Sequence, residues 1–310
     1  EPSIIALNRN NMKEVLGVGK KALLMHEKTH ESIKTIRPLK DGVIADFNAA
    51  ELMIRELMKM IYPKKPLFPP SWRMVICIPS SITEVEKRAV RDSAEQAGAK
   101  EVYMIHEPMA AALGIGIDVE EPVGNMIIDI GGGTTGITVI ALAGIVCDQS
   151  IRIAGDEFTA DIMEALRRYH SLLIGERTAE QIKIHVGAAL KDLDNPPDDM
   201  PVNGRDLVTG IPKQIMVSYQ EVAEALDKSI FKIEEAILKA LETTPPELAA
   251  DIYRRGLYIT GGGSLLRGLD KRLSQKIKLP VHVADDPLKS VVRGTGIALK
   301  NYQRFPFIMR

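Results

Sequence analysis

The chain has 310 residues, of which 45% are hydrophobic, 26% charged and only 5% aromatic, and its 40 basic and 41 acidic side chains give a formal net charge of -1. This composition excludes a disordered chain and a strongly basic nucleic-acid-binding surface, and the few aromatic residues argue against a platform for stacking single-stranded bases. The length suffices for a large core and fits one large or two medium domains.

Neither a membrane span nor a disulfide is expected. The longest apolar stretch, residues 136–147, is far shorter than the ~20 residues that cross a bilayer, and Glu1-Pro2-Ser3 starts no signal pattern. Cys77 and Cys147 lie in apolar runs without CxxC spacing, which favours reduced thiols in a reducing cytoplasm. Peripheral attachment to a membrane stays open.

Short β-branched runs alternate with segments in which apolar residues recur three and four apart. The β-branched runs predict strands at 74–78, 126–130, 137–142 and 257–260. The amphipathic segments predict helices at 48–61, 83–97, 156–173, 178–190, 219–242 and 264–276. Asn48, Thr83 and Ser264 are candidate N-caps, and Thr83 with Glu86 matches a capping box. The alternation predicts an α/β fold, with loops at 62–72 and 194–206.

Two glycine triplets follow apolar strands, in IIDIGGGTT at 127–135 and LYITGGGS at 257–264. Three glycines allow a tight turn and let a phosphate or ribose approach the backbone N–H groups, because no Cβ intervenes. One triplet is as well explained by an ordinary turn, but two on matching strand ends favour a ligand site. Neither triplet fits the P-loop or the Rossmann glycine pattern.

The segments near the triplets differ in their predicted roles. A second apolar strand follows the first triplet, which predicts a hairpin with Asp129 near its tip, where a carboxylate can hold a Mg²⁺-bound water. A helix is predicted after the second triplet, with its N-terminus facing the ligand. Glu107, in HEPMAAA at 106–112, opens a run of small residues with room for a water and a ligand. From the residues alone, however, an ordinary acid at a helix N-terminus explains Glu107 better.

A literal H-E-x-x-H at residues 26–30 offers a competing zinc site. On a helix, His26 and His30 would share one face, with Glu27 as base and Glu51 or Glu56 as a third ligand. The segment is rich in lysine and is followed by Pro38 within about two helical turns. We therefore rank a metalloprotease well below a site built on the glycine triplets.

Taken together, DIGGGTT, the second GGGS and HEPMAAALGIG resemble the actin-like ATPases, whose fold is shared with heat-shock chaperone ATPases and sugar kinases. Within that group the chain is similar to the MreB family of bacterial actins, in segments 36–47, 107–116, 150–158, 174–183, 244–252 and 258–270. The resemblance implies an actin-like (ribonuclease H-like) α/β fold of two lobes, each with a mixed five-stranded sheet, flanking helices and a smaller insertion. It places the subdomains as follows: IB at 1–38, IA at 39–123 and 290–310, IIA at 124–157 and 216–289, and IIB at 158–215.

The same resemblance implies a role for each site residue. Asp129 would hold Mg²⁺ through water, and Glu107, helped by Thr134, would orient the water that attacks the terminal phosphate. Three sets would bind ATP or ADP between the lobes: the phosphate loop Gly131, Gly132, Gly133 and Thr134, the ribose and adenine pair Glu180 and Lys183, and the adenosine loop Gly261, Gly262, Gly263 and Ser264. Positioning and charge stabilisation would then drive ATP hydrolysis.

The resemblance further implies self-assembly into paired protofilaments at the inner face of the cytoplasmic membrane, together with membrane-bound cell-wall elongation proteins that maintain rod shape. Leu67 and Phe68, flanked by lysines and prolines, fall where the family carries a membrane-inserting loop. Packing of both side chains onto the protein is an equal alternative. Three further alternatives stay open: a non-polymerising ATPase of the chaperone type, one of the sugar-kinase type, and an ATP-binding scaffold with little hydrolysis.

The chain departs from the family pattern at two places. The family's first phosphate loop, a DLGTANT hairpin, would precede EPSIIALN, so we expect the protein to continue before Glu1. Gly136 stands where the family usually has a glutamate after the two threonines.

Overall fold

The computed structural model describes residues 1–28, 30–40, 43–61 and 72–310. The chain forms two compact units, one made of Glu1–Glu107 with Ala298–Arg310 and the other of Pro108–Ile297. The four subdomains implied by the resemblance divide the chain more finely than this, and their boundaries stay a prediction.

The first unit carries small sheets and short helices. Its strands are β1 (Ile5–Asn8), β2 (Asn11–Val18), β3 (Ile33–Ile36), β4 (Leu39–Lys40), β5 (Val43–Ile44), β6 (Trp72–Ile78) and β7 (Ala99–His106). Its helices are α1 (Lys20–Met25), α2 (Phe47–Ile61), α3 (Glu84–Gln96) and the start of α4 (Glu107–Gly114). Strand β1 pairs antiparallel with β2 and β3, β4 pairs with β5, and β6 runs parallel to β7.

Helix starts in this unit follow from side-chain capping. Thr83 and Glu86 form the predicted capping box on α3, because the Glu86 N–H donates to Thr83 Oγ1 at 3.3 Å and the Thr83 N–H donates to Glu86 Oε2 at 2.8 Å. The Asn48 cap was wrong, since α2 already starts at Phe47 and Asp46 Oδ1 accepts the Ala49 N–H at 2.9 Å.

The second unit contains the longer elements. Its strands are β8 (Asn125–Ile130), β9 (Thr135–Ala141), β10 (Gly144–Ile151), β11 (Leu172–Leu173), β12 (Met200–Asp206), β13 (Pro212–Val217), β14 (Leu257–Thr260) and β15 (Val281–Val283). Its helices are α5 (Gly155–His170), α6 (Glu176–Val186), α7 (Tyr219–Thr243), α8 (Pro246–Arg255), α9 (Leu269–Ile277) and α10 (Ser290–Lys300), the last of which ends in the first unit.

A mixed five-stranded sheet organises this unit, with strand order β10-β9-β8-β14-β15. Strands β8 and β9 form the predicted antiparallel hairpin, whereas β14 runs parallel to β8 and to β15. The family resemblance implied a mixed five-stranded sheet in each of the two lobes. In the described part of the first unit, however, the strands form sheets of three, two and two.

One apolar core supports the five-stranded sheet. It contains Met126, Ile128 and Ile259 from the sheet and Phe158 and Ile233 from the helices, each at most 1% exposed. Complete burial of a side chain of this size contributes ~1.5–3 kcal/mol. The core therefore fixes β8 and β14, the two strands that lead into the glycine triplets.

Two predicted elements were wrong. Residues 200–206 of the predicted loop form β12, which pairs antiparallel with β13 although it contains Pro201 and Gly204. The helix expected at 264–276 is divided into a 3₁₀ turn over Gly262–Leu265 and α9, because Gly268 interrupts it with a φ of 74°. Ser264 therefore caps no α-helix, and its Oγ donates to Gly261 O at 2.7 Å.

The described helices offer no candidate for crossing a bilayer, since none combines the necessary length with sufficient apolar character. Leu67 and Phe68, and the predicted loop up to residue 71, lie outside the described residues, whereas Trp72 begins β6.

Candidate functional site

The two glycine triplets leave the same edge of the five-stranded sheet. Because β8 and β14 are parallel neighbours with Asp129 opposite Thr260, their carboxyl ends lie side by side. The loops are also in close contact, since a Cβ on Gly261 would lie 2.3 Å from Ile130 O and one on Gly263 would lie 2.2 Å from Ile130 Cγ2. The structure thus brings together two motifs that are about 130 residues apart in the sequence.

The first loop offers a row of backbone donors. It closes as a tight turn through the Gly131 N–H, which donates to Thr134 O at 3.0 Å. Within the described part of the chain, the N–H groups of Gly132, Gly133 and Thr134 donate to no other residue. Gly132 is exposed. Consecutive unpaired N–H groups in a turn form a typical binding site for an anion such as a phosphate.

The start of α5 holds this loop in place. The N–H of Gly155 donates to Gly131 O at 3.1 Å, and the N–H of Asp156 donates to Gly132 O at 2.7 Å. These are two of the helix N-terminal N–H groups that have no partner inside the helix. The first loop is therefore fixed through its carbonyl groups, which leaves the N–H groups of Gly132, Gly133 and Thr134 for a ligand.

Asp129 is the last but one residue of β8 and lies directly before the first loop. Burial raises the pKa of its carboxyl from 3.8 to about 6, although the residue keeps a partly exposed surface. Its side chain makes no hydrogen bond to any residue that the structure describes. Carboxylate oxygens are ligands that Mg²⁺ prefers, so Asp129 fits the role of holding Mg²⁺ through water. Gly136, the second departure from the family pattern, pairs with Asp129 across the β8–β9 hairpin.

Glu180 and Lys183 form an ion pair beside the first loop. They lie one turn apart on α6, with Lys183 Nζ 2.6 Å from Glu180 Oε2. Lys183 Nζ also donates to Gly155 O at 2.7 Å and to Thr159 Oγ1 at 3.0 Å. A Cβ on Gly155 would lie 3.2 Å from Lys183 Nζ and 3.2 Å from Gly131 O. Lys183 thus contacts Gly155, the residue that anchors the first loop.

The second loop is anchored on the other side. Thr260 Oγ1 and the Gly261 N–H both donate to Pro287 O at 3.2 Å. The end of α6 is close as well, because a Cβ on Gly187 would lie 3.0 Å from Leu266 Cδ1. The segment just after the second loop therefore packs against the end of α6, the helix that carries Glu180 and Lys183.

Glu107 begins α4, directly after β7, as its sequence context indicates. The remaining residues of α4, 108–114, are all buried. Helix α4 crosses α10 closely, since a Cβ on Gly114 would lie 1.8 Å from Ser290 O and one on Gly294 would lie 1.8 Å from Ala110 O. The role of Glu107 in orienting a water stays a prediction.

The H-E-x-x-H motif does not lie on a helix. Helix α1 ends at Met25, and Glu27 adopts a φ of 61°, a conformation that interrupts a helix. His26 Nδ1 lies 2.9 Å from Thr35 Oγ1 and His30 Nδ1 lies 3.2 Å from Ser32 Oγ. The low-ranked alternative of a zinc site, which needs both histidines on one helix face, therefore loses its structural basis.

Sequence reasoning missed two members of this site, Gly155 and Thr159. Gly155 belongs to the family-like segment at 150–158, which received no role in the site, and Thr159 follows directly after that segment. The only signal was a glycine followed by two acids at the start of an amphipathic helix, and many surface helices begin in this way.

Comparisons with known proteins identify the family and the fold of the chain. The family model described as MreB/Mbl protein matches residues 1–306. The cell shape-determining protein Mbl of Bacillus subtilis is 47% identical over 306 residues, which cover 99% of this chain and 90% of Mbl. The crystal structure of MreB5 of Spiroplasma citri bound to ADP has a TM-score of 0.91 and 37% identity, covering 98% of this chain and 91% of MreB5. The crystal structure of MreB5 bound to AMPPNP has a TM-score of 0.90 and 38% identity, covering 98% of this chain and 90% of MreB5. The chain therefore has an actin-like fold and belongs to the MreB/Mbl family.

Proposed function

We propose that the protein binds ATP and ADP at the edge where the two glycine loops meet and hydrolyses ATP there. The observation that carries this proposal is the row of unpaired N–H groups from Gly132 to Thr134, next to the carboxylate of Asp129. The ADP and AMPPNP bound to MreB5, a relative of the same family, support the choice of a nucleotide.

Each set of residues acts on a different part of the nucleotide. The N–H groups of the first loop donate to phosphate oxygens, and Ser264 with the second loop lies against the adenosine. Glu180 accepts hydrogen bonds from the ribose hydroxyls, while Lys183 holds the glutamate in place at 2.6 Å. Asp129 would hold Mg²⁺ through water, and the bound ion would supply charge neutralisation at the phosphates. Glu107 with Thr134 would orient the attacking water.

The role that we propose for hydrolysis is the assembly of filaments that help to maintain cell shape. Membership of the family supports self-assembly into paired filaments, attachment through Leu67 and Phe68 to the inner face of the cytoplasmic membrane, and work with membrane-bound elongation proteins in maintaining cell shape. The name of Mbl as a cell shape-determining protein supports the same role.

Phosphate release with the variant Glu107→Ala tests the hydrolysis step. We expect the variant to bind ADP like the wild type and to lose phosphate release by about 10²-fold or more, because a positioned base or water-orienting group contributes on the order of 10²–10⁴. Glu164→Ala, on the exposed side of α5, is the matched control. Unchanged phosphate release in Glu107→Ala would contradict the assignment.

Sedimentation with and without ATP separates the remaining alternatives. A filament-forming ATPase pellets with ATP and releases phosphate, whereas a scaffold pellets and releases almost none. A sugar kinase stays in the supernatant and requires a sugar. Co-sedimentation of Leu67→Ala/Phe68→Ala with anionic liposomes at the wild-type level would remove the membrane role of that pair.

A further inference from the structure

Thr159 is a buried hydroxyl at the centre of the site. It lies on α5, one turn after Gly155, and is 3% exposed. Its Oγ1 lies 2.9 Å from Gly155 O, 2.9 Å from Glu180 Oε2 and 3.0 Å from Lys183 Nζ. None of the sequence motifs included this residue.

The chemistry of these contacts limits what the hydroxyl can do. An ammonium group only donates, so Thr159 accepts from Lys183. The single hydroxyl proton then has two acceptors at equal distance, Gly155 O and Glu180 Oε2, and can be donated to only one of them at a time. Gly155 O already accepts from Lys183 Nζ at 2.7 Å. The carboxylate of Glu180, being charged, is the stronger acceptor.

These contacts join two parts of the site. On one side, the N–H of Gly155 holds Gly131 O of the first glycine loop at 3.1 Å. On the other side, the side chain of Glu180 is 46% exposed and can reach a ligand, whereas that of Lys183 is only 15% exposed. Thr159 is the buried group that contacts both Glu180 and Lys183 as well as Gly155.

We propose that Thr159 is a positioning residue for nucleotide binding, which holds Glu180 and Lys183 in a fixed orientation against the start of α5. It does not touch the nucleotide itself. Glu180 is long, flexible and half exposed, so without the hydroxyl its carboxylate must be ordered when the ligand binds, which costs affinity. This proposal rests on the proposed function, because it concerns the affinity of the same site.

The test compares Thr159→Val, which replaces the hydroxyl by a methyl group of similar size, with Thr159→Ser, which keeps the hydroxyl. We expect Thr159→Val to weaken ADP binding about tenfold, the typical effect of losing a hydrogen bond to a charged group. The KM for ATP should rise by a similar factor, while kcat changes less than about twofold. Thr159→Ser should recover most of the loss in affinity.

Thr138→Val is the matched control, because Thr138 is equally buried and its Oγ1 donates to Asp148 Oδ1 at 2.7 Å, away from the glycine loops. It should lower the melting temperature and leave ADP affinity unchanged. In a Glu180→Ala background, which removes the acceptor, Thr159→Val should weaken ADP binding by less than about twofold, since the residue acts through Glu180.

Several results would overturn the proposal. Equal ADP affinity of Thr159→Val and the wild type would do so, and so would an equal loss of affinity in Thr138→Val or no recovery in Thr159→Ser. If Thr159→Val does not fold, Thr159→Ala against Thr159→Ser makes the same comparison. A wild-type protein that binds no ADP would instead remove the proposed function itself.

Discussion

A Cβ placed on Gly261, in the second glycine loop, would lie 2.3 Å from Ile130 O and 2.4 Å from Asp129 Oδ1. On Gly132, in the first loop, the nearest atoms would be the carboxylate oxygens of Asp156 at 3.8 Å. The backbone conformations of the two glycines also differ. Gly261 has a φ of 80°, which favours glycine, whereas Gly132 does not adopt a left-handed conformation. Two loops with the same GGG sequence therefore need glycine for different reasons.

The contrast between Gly261 and Gly132 distinguishes a glycine needed for packing from one suited to ligand binding. In the second loop, glycine is required because the backbone passes directly against β8 and turns with a positive φ. At Gly132 the described part of the protein leaves room for a side chain, so packing within the chain does not explain the glycine. This is the behaviour expected of a loop that a phosphate approaches closely.

The largest expected effect is that of Gly261→Ala. The added methyl group overlaps backbone and carboxylate atoms and places alanine in a left-handed conformation, so we expect a loss of more than about 3 kcal/mol of stability. Urea unfolding measures it. A loss below about 1 kcal/mol would show that the second loop can move away from β8, and the two loops would then differ less than their contacts indicate.

The next largest expected effect is that of replacing Asp129, which lies in β8 two residues before the first loop. Its pKa is raised from 3.8 to about 6, so between these pH values the unfolded chain releases the proton before the native protein does. The contribution of this group to stability therefore falls as pH rises through that window, by up to about 3 kcal/mol. In metal-free buffer, Asp129→Asn should lack this decrease, and above pH 6 it should unfold at higher urea than the wild type. The exposed Asp192→Asn is the control.

Gly132→Ala should show the opposite behaviour to Gly261→Ala. Because the new methyl group meets no protein atom closer than 3.8 Å, stability should change by less than about 1 kcal/mol. ADP affinity should fall about tenfold or more, since the methyl group stands where a phosphate approaches. Calorimetric titration with ADP decides this. Wild-type affinity in this variant would remove the reason given for glycine in the first loop.

Ser264→Ala should have the smallest effect. The residue is 3% exposed, and its Oγ donates to Gly261 O at 2.7 Å within the second loop. Loss of one such hydrogen bond costs about 1 kcal/mol, measurable by urea unfolding. A loss of stability far above about 1 kcal/mol would contradict the assignment of a single hydrogen bond to this hydroxyl.

Local signals predicted several elements accurately. Strand β14 has the predicted bounds of 257–260, α7 extends one residue beyond the predicted 219–242, and the capping box fixed the start of α3. Their apolar periodicity and capping chemistry involve residues close in sequence. Helix α8, by contrast, was not predicted although it begins with Pro246, a favourable first position. Strand β12 was missed because Pro201 and Gly204 are unfavourable in a strand, and it is the antiparallel pairing with β13 that holds this segment extended.

The sequence by itself determined that the chain has two glycine loops on strand ends, an acid before the first of them, and a near-neutral charge. Only the tertiary structure decided that β8 and β14 are parallel neighbours, and hence that both loops lie at one edge. It alone placed Gly155 and Thr159 against Lys183. The physical reason is that strand order, close backbone approach and buried hydrogen bonds join residues far apart in the chain, and no local pattern encodes these contacts.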